Sequence, residues 1–243
     1  MHVAVETGTS ARCRASIRSS SVALHAIMAV GGAVMVLYLL AHMYGNLKIF
    51  SGPESFDGYA SYLRTLGEPL LPHGGALWII RIVLLVSVLS HMVAAFVLWR
   101  RARAATGGRG SRRYMTRKNP RGVQRTYASF TMRWGGIVIG LFIVYHLLHL
   151  TVNVIAPGGA SDSAYGRMVA GFAIWWVTLS YLIALIALGF HLRHGIWSAF
   201  ASLGANTGVR RRRHLNQLAY LLTAVIVIGF AIPPLAIQFG MVS

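Results

Sequence analysis

Acidic side chains are scarce in this chain. Five Asp and Glu stand against 23 Lys and Arg, leaving a formal net charge of +18. The acids are Glu6, Glu54, Asp57, Glu68 and Asp162, and none falls inside a long apolar run. Transporters commonly carry acids at membrane depth, where they bind ions and relay protons, so a cofactor-free transporter is disfavoured. Cysteine is scarcer still, with Cys13 alone. A single cysteine excludes an internal disulfide, a C-x-x-C-H haem attachment and an iron–sulfur cluster of ordinary type held by this chain alone. No internal repeat is obvious beyond the histidine-bearing helices.

What is abundant is apolar. The hydrophobic fraction is 56% and the mean hydropathy +0.59, and several runs reach the roughly 20 residues that carry a helix across a bilayer. The chain reads as an all-α integral membrane protein, a single membrane domain over 1–243 with five transmembrane helices. Four of them form a histidine-bearing bundle and the fifth stands beside it. The spans are expected at about 22–44, 76–99, 134–156, 168–192 and 215–239. The first is too long for a signal-peptide core and is read as retained. Pro233-Pro234 is expected to kink or shorten the fifth.

Basic residues set the orientation. Eleven of the 23 lie between Arg100 and Arg133, five between Arg193 and Arg213, and Arg12, Arg14 and Arg18 precede the first span. The positive-inside rule places the N-terminus and the loops 100–133 and 193–214 in the cytoplasm and the C-terminus outside. The 100–133 segment, rich in Arg and Gly, reads as a solvated loop. Topology, anionic membrane lipid and a docked cytoplasmic partner account for the charge, so no nucleic-acid partner is expected.

Histidine carries the functional signal. His42, His91, His146, His149 and His191 lie inside or at the edges of spans, where ionisable side chains are costly and usually functional. At 1.5 Å per residue, His42 falls about 20 residues from the inner end of its span. His146 falls about 12 residues into its own, at or beyond mid-membrane. His91 lies about nine residues from Arg100, and His191 just precedes Arg193, so both are in the inner half. Two stacked pairs follow, His42 with His146 and His91 with His191. Zinc normally takes four ligands. The H-x-x-H pairs, His146/His149 and His191/His194, lie at opposite depths and cannot share one ion. Haem brings four equatorial nitrogens and asks for two axial ligands, and helix bundles are a common host for it. The reading is two b-type haems, each bis-histidine, with His149 and His194 the weaker candidates because they are less deep. An alternative replaces one haem with an iron–sulfur centre that takes its cysteines from a partner chain.

These residues carry a family resemblance. SSSVALHAIMAVGG with AHMYGNLKIF, MRWGGIVIGLFIVYHLLHLT at 132–151 and FHLRHGIWSAFASLG at 190–204 resemble the first, third and fourth helices of a five-helix dihaem cytochrome b. That protein is the membrane anchor of succinate:quinone oxidoreductases, the succinate dehydrogenases and fumarate reductases. Two positions depart from the pattern: Leu24-His25 replaces a frequent basic pair, and Gly189 stands where some dihaem fumarate reductases have glutamate. The resemblance implies His91 and His191 as ligands of the haem nearer the peripheral subunits, and His42 and His146 as ligands of the distal one. It implies flavoprotein and iron–sulfur partner subunits and allows a higher oligomer of the complex. It places the chain in a bacterial cytoplasmic membrane. It also implies an electron-transfer and quinone-binding role in the tricarboxylic acid cycle and respiratory chain, with menaquinone or ubiquinone as substrate and the dicarboxylate site in another subunit. Quinone-site candidates on the inner side are Arg18, Ser20, Ser21, His25 and Trp197, and on the outer side Tyr44, Glu68 and Arg81. The alternative function is a dihaem cytochrome b anchor of another quinone-linked dehydrogenase or a hydrogenase.

Overall fold

The computed structural model describes residues 20–105, 122–205 and 207–243. Cys13, Arg12, Arg14 and Arg18 lie outside the described residues. Five helices are long and apolar enough to cross a membrane, and no strand occurs among the described residues.

Helix α1 (Ser21–Leu47) starts at Ser20, whose hydroxyl accepts from the Val22 N–H at 3.3 Å and so caps the first turn. A 3₁₀ turn (Lys48–Ser51) follows and ends at Gly52, φ +87°. The short helix α2 (Pro53–Thr65) opens with proline at its first position, where a missing N–H costs nothing. Helix α3 (Gly75–Ala105) returns antiparallel to α1, and α4 (Gly122–His146) runs parallel to it. Its last turn widens into a π turn (Leu147–Thr151), closed by Val152 N–H donating to Leu147 O at 2.8 Å. Helix α5 (Ala164–Phe172) is short. Helices α6 (Trp175–Ser202) and α7 (Val209–Gln238) complete the bundle.

Several expected boundaries move. The third span ends at Thr151 rather than 156, and the expected 193–214 loop is helical up to Ser202 and again from Val209. The fourth span begins at Trp175 rather than 168, because the chain breaks at Ala173–Ile174 and residues 164–172 form a separate helix. The Thr178 hydroxyl fastens that break by donating to Phe172 O at 2.9 Å. The fifth span is not ended by Pro233-Pro234: both are buried, and α7 continues to Gln238. Neighbouring helices can support a proline break of this kind within a membrane. The 100–133 segment is in part helical, since α3 reaches Ala105 and α4 begins at Gly122; the remainder lies outside the described residues.

Helix α1 packs against α3, α6 and α7, and α6 packs against α4 and α7. Apolar side chains gain little by leaving lipid, so such contacts depend on close fit between small residues. Gly31 of α1 shows this: a Cβ there would lie 3.1 Å from the Ser87 carbonyl of α3. By contrast, α1 with α4 and α3 with α6 do not pack closely backbone to backbone. The helix pairs α1/α4 and α3/α6 are thus held apart, each across a gap, while α1 and α6 pack between them.

The ends differ. One is basic, with Arg101 donating to Ser21 Oγ at 3.2 Å and Arg193 donating to Tyr220 Oη at 2.8 Å. The far end is closed by α2 and α5 over a buried cluster that includes Ile49, Phe56, Met168, Phe172 and Tyr181. Asp57 of α2 accepts from the Ser163 hydroxyl at 2.6 Å and from the Tyr165 N–H at 3.0 Å, which ties it to the start of α5. Burial pushes the Asp57 carboxyl up. The hydrogen bonds from Ser163, Tyr165 and Ala164, with the Arg167 charge, outweigh that and hold it below the usual carboxylate range. Arg167 also donates to the carbonyls of Ser161, Asp162 and Leu150 at 2.7, 3.2 and 3.2 Å.

Candidate functional site: two facing histidine pairs

The gaps between α1 and α4 and between α3 and α6 are bridged by imidazoles at two levels. His42 of α1 faces His146 at the end of α4, ring centroids 5.8 Å apart and nearly perpendicular. His91 of α3 faces His191 of α6, centroids 6.1 Å apart. The helices that supply each pair are those that do not pack closely. On α1 the basic-end pair lies at the level of Gly32, ten residues before His42. On α4 it lies at the level of Gly136, ten residues before His146. Ten residues rise about 15 Å, so the two levels divide the roughly 30 Å apolar core.

In the basic-end pair, His91 is held by main chain. His91 Nδ1 lies 3.1 Å from the Met28 carbonyl, a bond that puts the proton on Nδ1 and leaves the Nε2 lone pair free. Gly32 and Gly136 give the rings room: a Cβ would lie 3.8 Å from His91 Cε1 at the first and 3.6 Å from His191 Cε1 at the second. His191 Nδ1 is buried without a well-formed hydrogen bond. At the far end Tyr38 stacks on His42 at 5.3 Å, and Phe142 lies 5.8 Å from His146. Each aromatic stands one helical turn before its histidine.

These details expose a repeat that a plain reading of the chain passes over. Residues 28–42 and 132–146 share Met, Gly-Gly, Val, Leu and His in register: Met28/Met132, Gly31-Gly32/Gly135-Gly136, Val34/Val138, Leu37/Leu141 and His42/His146. Helices α1 and α4 are therefore equivalent pieces of two half-bundles, α1–α3 and α4–α6.

Residues 113–231, about half of the chain, match the family described as Succinate dehydrogenase/Fumarate reductase transmembrane subunit. The chain belongs to that family. No curated protein and no solved structure matches it. The matched part of this succinate dehydrogenase/fumarate reductase transmembrane subunit holds His146, His149, His191 and His194. His42 and His91 precede it; His42 is related to it by the repeat, at the position of His146.

The remaining candidates separate. His149 is buried, 2% exposed, and its Nδ1 lies 2.9 Å from Tyr181 Oη. Gly171 makes this possible, since a Cβ there would overlap His149 Nε2. His194 lies beside Trp197, centroids 6.5 Å apart, one helical turn beyond His191. Ser21 Oγ receives Arg101, and His25 Nδ1 lies 2.7 Å from Ser21 O within its own helix. Tyr44 and Tyr59 flank the Lys48 ammonium, Arg81 lies over Trp78, and Glu68 lies 3.1 Å from His73. The inner and outer quinone candidates are thus dispersed, and no described cavity joins them. The described pocket instead lies at the α2–α5 seam, lined by Asp57, Arg64, Asp162 and Arg167 among others. Sequence reading missed Tyr181, the Met28 carbonyl and Tyr38. Of these only Tyr38, four residues before His42, left a signal in the spacing.

Proposed function

We propose that this family member is the dihaem cytochrome b anchor of a bacterial succinate:quinone oxidoreductase. It passes electrons from an iron–sulfur subunit to menaquinone or ubiquinone, or from quinol toward fumarate. The observation that carries this is the close ring-to-ring spacing of His42/His146 and His91/His191. An ion held by two imidazoles sits about 2.0–2.1 Å from each nitrogen, which with ring radii of about 1.15 Å puts the centroids at most about 6.4 Å apart; the observed values, 5.8 and 6.1 Å, lie within that reach.

The residues fit haem better than a bare ion. Among the described residues no three His, Cys, Asp or Glu side chains converge as a bare metal ion would require. Each site offers two nitrogens from helices held apart, with a glycine face beside each basic-end ring. His42 and His146 would hold one haem, and His91 and His191 the other. When bound, the haems supply one-electron redox chemistry between the iron–sulfur subunit and quinone. The chain's own part is to fix the ligand rings, keep water from them and set their hydrogen bonding. The basic end, with Arg101, Arg193 and Arg210 to Arg213, is the surface for the peripheral subunits and for anionic lipid.

A reduced-minus-oxidised spectrum of the purified complex is the test. Two bis-histidine b-type signals, with flavin co-purifying, are expected; a spectrum without haem overturns the reading. Haem without flavin would assign the chain to another quinone-linked complex. Orientation has its own test: a reporter active only in the cytoplasm should work when inserted within 106–121 and be silent when fused after Ser243.

A further inference from the structure

At the far end of α4 a buried hydroxyl stands between two imidazoles. Tyr181 of α6 is 7% exposed, wedged edge-on against Phe142 and Phe172, ring centroids 4.8 and 4.7 Å away. Its oxygen lies 3.3 Å from His146 Nδ1 and 2.9 Å from His149 Nδ1. A phenol has one proton to donate and lone pairs to accept. It cannot donate to both rings, so one ring must donate to it.

Which one is decided by chemistry at His146. A metal takes the lone pair of an imidazole nitrogen that carries no proton, and the partner of the other nitrogen fixes which one that is. With Nδ1 engaged by Tyr181, Nε2 is the coordinating atom and the proton sits on Nδ1. His146 Nδ1–H therefore donates to Tyr181 Oη, and the Tyr181 O–H donates to His149 Nδ1. The distances agree, since hydroxyl donors make shorter bonds than N–H donors. The reverse orientation, with Tyr181 donating to His146, would put the His146 proton on Nε2 and block the lone pair.

We infer that Tyr181 is a positioning residue for the far-end haem ligand, and that His149 is the acceptor that keeps the hydroxyl turned away from His146. This rests on the reading of His146 as an axial ligand. It gives buried His149 a role without making it a ligand. It also makes the two sites unlike: the basic-end ligand His91 donates to a main-chain carbonyl, whereas His146 donates to a side chain. A hydrogen bond donated by a ligand imidazole makes it a stronger electron donor, which favours oxidised iron.

The test uses the whole purified complex, titrated potentiometrically while both haem signals are followed. The far-end signal is the one that His42→Ala removes. Tyr181→Phe should keep two haems, raise the midpoint potential of the far-end centre and leave the other unmoved. His149→Phe should raise it as well or cost far-end haem, because the hydroxyl loses its acceptor. His149→Asn, whose Oδ1 can stand where Nδ1 stood, should return the potential toward that of the unaltered protein. If Tyr181→Phe does not assemble, the His149→Phe and His149→Asn pair decides. Two haems with unchanged midpoints in Tyr181→Phe, or equal midpoints in the two His149 variants, overturn the inference and leave the dihaem reading standing. An unaltered complex without haem removes that reading instead.

Discussion

The basic-end and far-end histidine pairs differ in what holds their rings. His91 leans on the Met28 carbonyl, and a main-chain acceptor is the same whatever side chain residue 28 carries. His42 and His146 are set by side chains: Tyr38 stacks on one, while Phe142 and Tyr181 border the other. Two sites of one donor set can thus be tuned unequally. Point substitution adjusts the far-end site with little effect on the backbone. The basic-end site changes only when a helix shifts or a neighbouring residue grows.

The comparison breaks most plainly at the ligands. His42→Ala or His146→Ala should remove the far-end haem signal, and His91→Ala or His191→Ala the other, each halving haem content by pyridine haemochrome assay. Loss of both signals from one variant would mean that the sites are not separable. Next in size is Gly136→Leu. A Cβ at residue 136 already lies 3.6 Å from His191 Cε1, so a larger side chain occupies the ring's place. Overpacking costs about 1–3 kcal/mol, and the basic-end signal should fall while the far-end signal stays. Met28→Leu, which keeps the carbonyl, should change neither.

A smaller effect is expected at the far-end cover. Asp57→Ala loses the hydrogen bonds that Ser163, Tyr165 and Ala164 donate to its carboxylate, about 1–2 kcal/mol of local stability at this partly exposed site. Because the folded Asp57 pKa is lowered, its contribution is present above the unfolded value of about 3.9. It fades as pH falls through the folded value. Proteolytic nicking in 152–172 should therefore be faster in Asp57→Ala than in the unaltered protein at pH 7, and the difference should vanish in strong acid. Smallest of all, His149→Asn and His194→Asn should each retain two haems. A signal lost in either would move a ligand to the second histidine of its H-x-x-H.

The membrane spans and the histidine pairing were legible because both depend on distance along a helix: apolar length marks a span, and residue count gives depth. The pairs reached by counting are those whose rings face each other. Less was legible where the determinant is a neighbour in space. The break before Trp175 depends on Thr178 reaching the Phe172 carbonyl and on α5 packing over the end of the bundle. Nothing around Tyr181 in the chain marks it, since its two histidines are 32 and 35 residues away. The loop reading at 100–133 failed at its edges for a local reason. Arg is a good helix former, and Arg100, Arg101 and Arg103 extend α3 beyond the apolar window.

The division of each pair between the two halves of the chain bears on biosynthesis. His42 and His91 are made before the 106–121 segment, His146 and His191 after it. While only α1 and α3 are in the membrane, neither site has its second ligand. On the dihaem reading, the far-end pair becomes complete once α4 has been translated and the basic-end pair only with α6, which would give cofactor loading a built-in order. On that reading, each haem would tie an early helix to a late one across a gap that the backbones do not close.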